Sequence, residues 1–177
     1  MFMRMKSLLL SSVAFLALLP LARAADVTVT LTNVHLCCKS CVDGANKAVS
    51  TVQGATATPD KTARTIVLTA ADTATVQKAV DALVKAGFYG GCGDPSITIN
   101  GDTGAKGETV KTLKVKGVHL CCAKCVKAVH EAVAAVPGVT GDTAEKGVET
   151  FEVTGEFKDS DVFDALKKSG LKGQVGG

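Results

Sequence analysis

The sequence VHLCCKSC, residues 34–41, returns as VHLCCAKC at residues 118–125. The two copies stay in register with the residues after them, since Val42 corresponds to Val126 and Val49 to Val133. Together they hold six of the seven cysteines of the chain. Because a thiolate is both a soft metal ligand and a nucleophile, a metal or redox function has to reside in these copies. The remainder of the chain is expected to be scaffold that positions them.

Each copy is predicted to lie between a strand and a helix. Residues 27–36 begin with apolar residues alternating with Thr, which is the period of a half-buried strand. The alternation slips at Asn33 and, in the second copy, at Gly117, which predicts a bulge or the end of the strand. Behind each cluster, apolar residues recur at helical spacing until Gly54 and Pro137-Gly138 end the two helices.

The remaining pattern is also duplicated and predicts an α+β fold. Each half continues with a hairpin, a second helix and a last strand. In the first half the hairpin strands are predicted at 55–58 and 64–69, the helix at 75–86 and the last strand at 96–100. In the second half the hairpin strands are predicted at 139–144 and 148–155, the helix at 160–169 and the last strand at 171–175. This order is the ferredoxin-like βαββαβ unit, a four-stranded antiparallel sheet with two helices on one face. We expect two such domains, 26–100 and 109–177, joined flexibly by the Gly-rich linker 101–108.

The first residues have the three parts of a secretory signal peptide. Arg4 and Lys6 give a positive start, an apolar run extends from Leu8 to Leu21, and small residues follow at Ala22 and Ala24. The sequence therefore predicts a signal peptide at 1–24, a periplasmic or secreted protein, and no membrane span after cleavage. A membrane anchor is the alternative, but the run is short of the ~20 residues that a spanning helix needs.

Charge and composition exclude several classes of function. The leader holds three of the 20 basic residues and no acidic one, so 17 basic residues remain against 17 acidic ones. Near-zero net charge, without Trp, argues against a nucleic-acid partner. Neither a Ser-His-Asp arrangement nor a phosphate-binding loop is visible in the sequence, so we do not expect an enzyme.

The C-x-x-C pairs between first strand and first helix resemble those of the heavy-metal-associated domain, a family that includes copper chaperones and a periplasmic mercury-binding protein. The segments Pro137-Gly138-Val139 and Gly87-Phe88-Tyr89 are also similar to family features. The resemblance implies bound soft metal, but it is incomplete. A Leu or Val stands at the family's Met position, and each pair is preceded by an extra cysteine.

The predicted metal ligands are the six repeated cysteines, with three further candidates near them. The cysteines are Cys37, Cys38, Cys41, Cys121, Cys122 and Cys125. His35 and His119 recur at one offset before the clusters, whereas Cys92, in a glycine-rich loop, has no counterpart. Two or three thiolates suit Cu(I), two suit Hg(II), and three thiolates with an imidazole suit Zn(II) or Cd(II). Lys172 is a candidate to balance the negative charge of a thiolate complex, by likeness to a loop lysine in some copper chaperones.

These observations predict an exported protein that binds soft metal, with Cu(I) foremost, at two CCxxC sites. It would buffer the metal or exchange it with a donor or acceptor protein. We expect the two sites to differ, because Cys92 belongs to the first half and Lys172 to the second. Thiol-disulfide exchange and a pure protein-interaction module remain the alternatives.

Overall fold

The computed structural model describes residues 25–177, so the predicted signal peptide lies outside the described residues. The first half contains β1 Val27–Thr32, α1 Lys39–Ser50, β2 Ala55–Asp60, β3 Thr65–Ala70, α2 Thr73–Lys85 and β4 Gly91–Cys92. The second contains β5 Thr109–Lys116, α3 Ala123–Ala134, β6 Val139–Asp142, β7 Thr150–Lys158, α4 Asp159–Lys168 and β8 Gln174–Val175. Within the described range, no helix has the length and apolar character needed to cross a membrane.

Each half has the predicted ferredoxin-like fold. The sheets are antiparallel, in the strand orders β2-β3-β1-β4 and β6-β7-β5-β8. In β1, Val29 and Leu31 are buried while the alternating threonines of the strand are exposed, as the alternation predicts. Val76 and Val80 form part of the buried stripe of α2, and the Asp72 carboxylate caps that helix by accepting a hydrogen bond from the backbone N–H of Thr75.

The first strand of each half ends at the predicted slip. Asn33, directly after β1, has φ +58°, and Gly117, directly after β5, has φ +75°. A residue in this left-handed region cannot continue a strand, so the chain turns there toward the cysteines. Of the two readings of the slip, the end of the strand is therefore correct, and the strand predicted within residues 27–36 stops at Thr32.

The last strand of the first half was predicted in the wrong place. Cys92 pairs with Leu31, so the edge strand lies at Gly91–Cys92, before the predicted segment 96–100. Thr98 instead exchanges two hydrogen bonds with the side-chain amide of Gln77 on α2. Because the amide satisfies the backbone groups of Thr98, this segment lies along α2 and not in the sheet.

The linker is held against the second half, unlike the flexible joint that its glycines suggest. The backbone N–H groups of Lys106 and Gly107 donate to the carboxylate of Asp159, at 2.9 and 2.7 Å. The backbone N–H of Val175 donates to the carbonyl of Thr103 at 2.8 Å. Asp159 is only 6% exposed, so this is a buried anchor at the start of α4.

The two halves pack against each other through two matching loops. Phe88 and Leu171 form an antiparallel bridge between the halves. Gly170 accepts hydrogen bonds from the backbone N–H groups of His35 and Tyr89 at 3.1 and 3.2 Å, and Gly87 accepts one from Lys172 at 2.9 Å. One continuous cluster of buried apolar residues extends through both halves. The repeats therefore face each other, which the sequence alone does not predict.

Candidate metal centre

The first helix of each half positions its cysteines. Cys38 and Cys122 are the N-cap residues of α1 and α3, while Cys41 and Cys125 lie in the first turn and are fully buried. The positive end of a helix dipole stabilises negative charge, so both pairs lie where a thiolate is favoured. Leu36, only 3% exposed, is buried next to the first cluster.

The two cysteine clusters meet in one group of six sulfurs. Across the interface, Cys37 Sγ lies 3.5 Å from Cys122 Sγ and 3.6 Å from Cys125 Sγ. Cys41 Sγ lies 3.6 Å from Cys121 Sγ and 3.7 Å from Cys125 Sγ. The repeat in the sequence predicts two separate sites. The structure corrects this, because the packing of the two halves brings both loops to the same point.

The six sulfurs occupy the corners of a distorted octahedron. Neighbours within each C-x-x-C pair are 3.7 Å apart, and the first cysteine of each copy lies 3.6 Å from the last. The sulfurs of Cys37 and Cys38, and those of Cys121 and Cys122, lie within 4.8 Å of each other. The three pairs left as opposite corners are Cys37 with Cys121, Cys38 with Cys125, and Cys41 with Cys122.

The sulfurs of the two buried cysteines are in hydrogen-bond contact. The Cys41 and Cys125 sulfurs are 3.7 Å apart, and the hydrogen bond between them, with a smaller contribution from His119, lowers the pKa of Cys41 to about 2. The same bond, with burial, raises the pKa of Cys125 well above its usual range. Of the two buried cysteines, Cys41 is therefore the one whose surroundings favour the thiolate.

The four outer cysteines are partly exposed. Burial raises the pKa of Cys37 and of Cys121. Partial burial also opposes ionisation of Cys122, but the backbone N–H of Cys125 and neighbouring thiols lower its pKa to about 6. Because metals bind the thiolate, filling the centre has to release protons from the thiols that remain.

The two repeated histidines lie beside the sulfurs of the opposite half. A ring nitrogen of His35 lies within 4.8 Å of the sulfurs of Cys37 and Cys125, while His119 is close enough to Cys41 to help lower the pKa of that thiol. The Nε2 atoms of both histidines are buried without a hydrogen-bond partner in the described part of the chain. Burial lowers the pKa of His35, so its imidazole is neutral at neutral pH.

Phe88 is a site residue that its sequence pattern did not single out. Its ring centroid lies 4.5 Å from that of His119, with an interplanar angle of 32°. Gly44 on α1 lies on the same imidazole, since a Cβ there would come 2.9 Å from His119 Cε1. The sequence did mark the segment Gly87-Phe88-Tyr89 as similar to a family feature, but it did not indicate that Phe88 contacts His119 of the other half.

Two predicted residues lie apart from the sulfur octahedron. The Cys92 thiol donates to the carbonyl of Asp94 at 3.8 Å, and Cys92 contributes to none of the described groups that can hold a metal. Lys172, only 3% exposed, directs its ammonium to the carbonyls of Asp102 and Gly173. Burial lowers the pKa of Lys172. The third histidine, His130, is hydrogen-bonded through Nδ1 to Asp142 and its side chain is 46% exposed.

A cavity of about 1010 Å³ reaches the centre from one side. His35, Cys37 and Arg64 of the first half line it together with Ala128 and Glu131 of the second. Cys37, which is partly exposed, therefore borders a space that both halves form.

Comparisons with known proteins give only distant likenesses. No protein-family model matches the chain. No curated protein matches it either. Similar solved structures include a copper-binding domain of HMA7, a P-type ATPase, at 19% identity, covering 38% of this chain and 96% of that one with a TM-score of 0.36. The N-terminal soluble domains of Bacillus subtilis CopA are 17% identical, covering 86% and 95% with a TM-score of 0.32. The water-soluble region of that ATPase is 18% identical, covering 86% and 92% with a TM-score of 0.30.

Proposed function

We propose that this chain is an exported carrier, and not an enzyme, that binds soft metal ions, foremost Cu(I), in one thiolate centre between its halves. The six-sulfur group carries the proposal. Among the described residues, the groups whose donor atoms converge contain cysteine sulfur and one imidazole, without a carboxylate. Soft thiolates select Cu(I) and related ions, whereas Mg²⁺, Ca²⁺ and Mn²⁺ require oxygen ligands.

Access to the centre supports exchange of the ion with a partner protein. Four of the six cysteines are partly exposed, and the cavity reaches Cys37. An incoming thiolate of a donor or acceptor protein can therefore attack the bound ion while the buried pair still holds it. The three-part pattern of residues 1–24 supports export.

A competition titration tests this function. The purified protein is reduced, kept without oxygen, and titrated with Cu(I) in the presence of a chromogenic Cu(I) chelator; parallel titrations use Zn(II), Cd(II) and Hg(II). We expect the protein to withdraw Cu(I) from the chelator and to prefer it over Zn(II).

Two other outcomes change the conclusion. Failure to withdraw Cu(I), with cysteines that cycle between dithiol and disulfide in the presence of a reductase, favours the redox alternative. Preference for another soft ion keeps the carrier function and changes its cargo.

A further inference from the structure

The spacing of the sulfurs limits the coordination geometry of a bound ion. With a metal–sulfur bond of about 2.3 Å, ligands lie about 4.6 Å apart around a linear ion, about 4.0 Å around a trigonal one and about 3.8 Å around a tetrahedral one. The distances from Cys37 to Cys122 and from Cys38 to Cys121 are 3.5 and 3.9 Å. Ten of the twelve edges, at 3.5–3.9 Å, are therefore too short for a linear pair and are close to the values for three- and four-coordinate ions. Each triangular face offers an ion three sulfur ligands.

One ion on one face leaves half of the sulfurs unused. The eight faces of an octahedron divide into two sets of four, such that faces of the same set share corners but no edges. Within either set, each corner belongs to two faces. Four ions on one set form twelve metal–sulfur bonds, so each thiolate bridges two ions and each ion is trigonal. Four tetrahedral ions need sixteen bonds, which six bridging thiolates cannot supply. The geometry therefore suits trigonal Cu(I) better than Zn(II) or Cd(II).

Either set of faces joins the two halves. In one set, Cys37, Cys38 and Cys41 form a face of their own, and the other three faces each combine one sulfur of the first half with two of the second. In the other set, one face is formed by the second half alone, and the other three faces each combine two sulfurs of the first half with one of the second. Three of the four ions therefore connect the halves, whichever set is filled.

We propose that the chain takes up four Cu(I) ions as a single tetranuclear thiolate cluster that fixes the two halves together. This inference rests on the proposed function and specifies its cargo. Four monovalent cations and six thiolates carry a net charge of −2. The imidazole of His35 has a ring nitrogen within 4.8 Å of the sulfurs of Cys37 and Cys125, from which it can donate a hydrogen bond to the cluster.

Native mass spectrometry during an oxygen-free Cu(I) titration of the reduced protein tests the cluster. We expect the four-ion species to appear early, with little one- or two-ion species. The reason is that each thiolate bridges two ions, so the first ion to bind positions thiolates for the next ion. Saturation at two ions, one for each C-x-x-C pair, overturns the cluster and leaves the carrier function intact. Absence of bound Cu(I) overturns both.

A pair of variants separates the cluster from simple C-x-x-C sites. The double variant Cys37→Ser/Cys121→Ser removes two opposite corners and keeps both C-x-x-C pairs, so capacity should fall from four ions to two or fewer. Cys92→Ser is the matched control, because this cysteine lies outside the octahedron, and it should retain four. Far-UV circular dichroism verifies that both variants fold. A double variant that still holds four ions contradicts the proposal.

Discussion

His35 and His119 recur at the same position in the two halves, and the structure gives a reason that the sequence does not. Each lies two residues before its own cysteines but is close to a buried cysteine of the opposite half. A polar ring nitrogen buried without a partner costs free energy, so its retention beside sulfur indicates a role in orienting or stabilising thiolates.

The double variant His35→Asn/His119→Asn tests this role. Outer hydrogen-bond partners of metal ligands typically contribute a factor of about 10 to 100 in affinity, so Cu(I) affinity should fall by roughly that factor. Stoichiometry should remain that of the unmodified protein, because no sulfur is removed. The control is His130→Asn, which removes a histidine bonded to Asp142 at the surface and should leave affinity unchanged. Equal affinities for the unmodified protein and the double variant contradict the role.

Among the elements, the two loops that follow α2 and α4 determine how the halves meet. Gly87 has φ +88°, and a Cβ there would lie 2.6 Å from both the Gly117 carbonyl oxygen and the His119 backbone nitrogen. Gly170 makes the reciprocal approach to the backbone of Asn33 and His35. Glycine at these positions permits a contact of backbone with backbone that brings the cysteine loops together.

Gly87→Ala should separate the halves without removing a ligand. The added methyl group cannot be accommodated between two backbones, so we expect the radius of gyration from small-angle X-ray scattering to increase. Cu(I) capacity should fall toward one ion for each C-x-x-C pair.

Gly54→Ala is the control for Gly87→Ala. Gly54 has a similar φ of +82°, but a Cβ there has nothing within 4 Å. Both variants carry the cost of a left-handed residue, about 1–2 kcal/mol, so only the clash distinguishes them. If Gly87→Ala and Gly54→Ala give the same radius of gyration, the loop contact does not determine the packing of the two halves.

Elements with strong local signals were predictable, and those that depend on a distant partner were not. The slip at Asn33 and Gly117 identified where β1 and β5 end, because a left-handed residue leaves a local signature. The short strand Gly91–Cys92 was missed because two residues, one of them glycine, have no periodicity. The amide of Gln77 that holds Thr98 away from the sheet is a contact between residues 21 positions apart.

At the scale of the whole molecule, the repeat predicted two like domains but not their packing. Each half contains a complete periodic pattern, so its fold follows from its own sequence. No pattern within either half predicts that Gly170 accepts a hydrogen bond from the backbone of His35, or that Asp159 anchors the linker. The six cysteines were therefore recognisable from the sequence as candidate ligands, whereas the union of the two clusters into one octahedron was not.

Copper K-edge X-ray absorption of the fully loaded protein tests the shared centre most directly. We expect three sulfur neighbours at about 2.3 Å around each copper and further copper neighbours at about 2.7 Å, the separation of ions on alternate octahedral faces. Two sulfur neighbours with no copper neighbour would contradict the shared centre, because that result describes isolated ions held by separate C-x-x-C pairs.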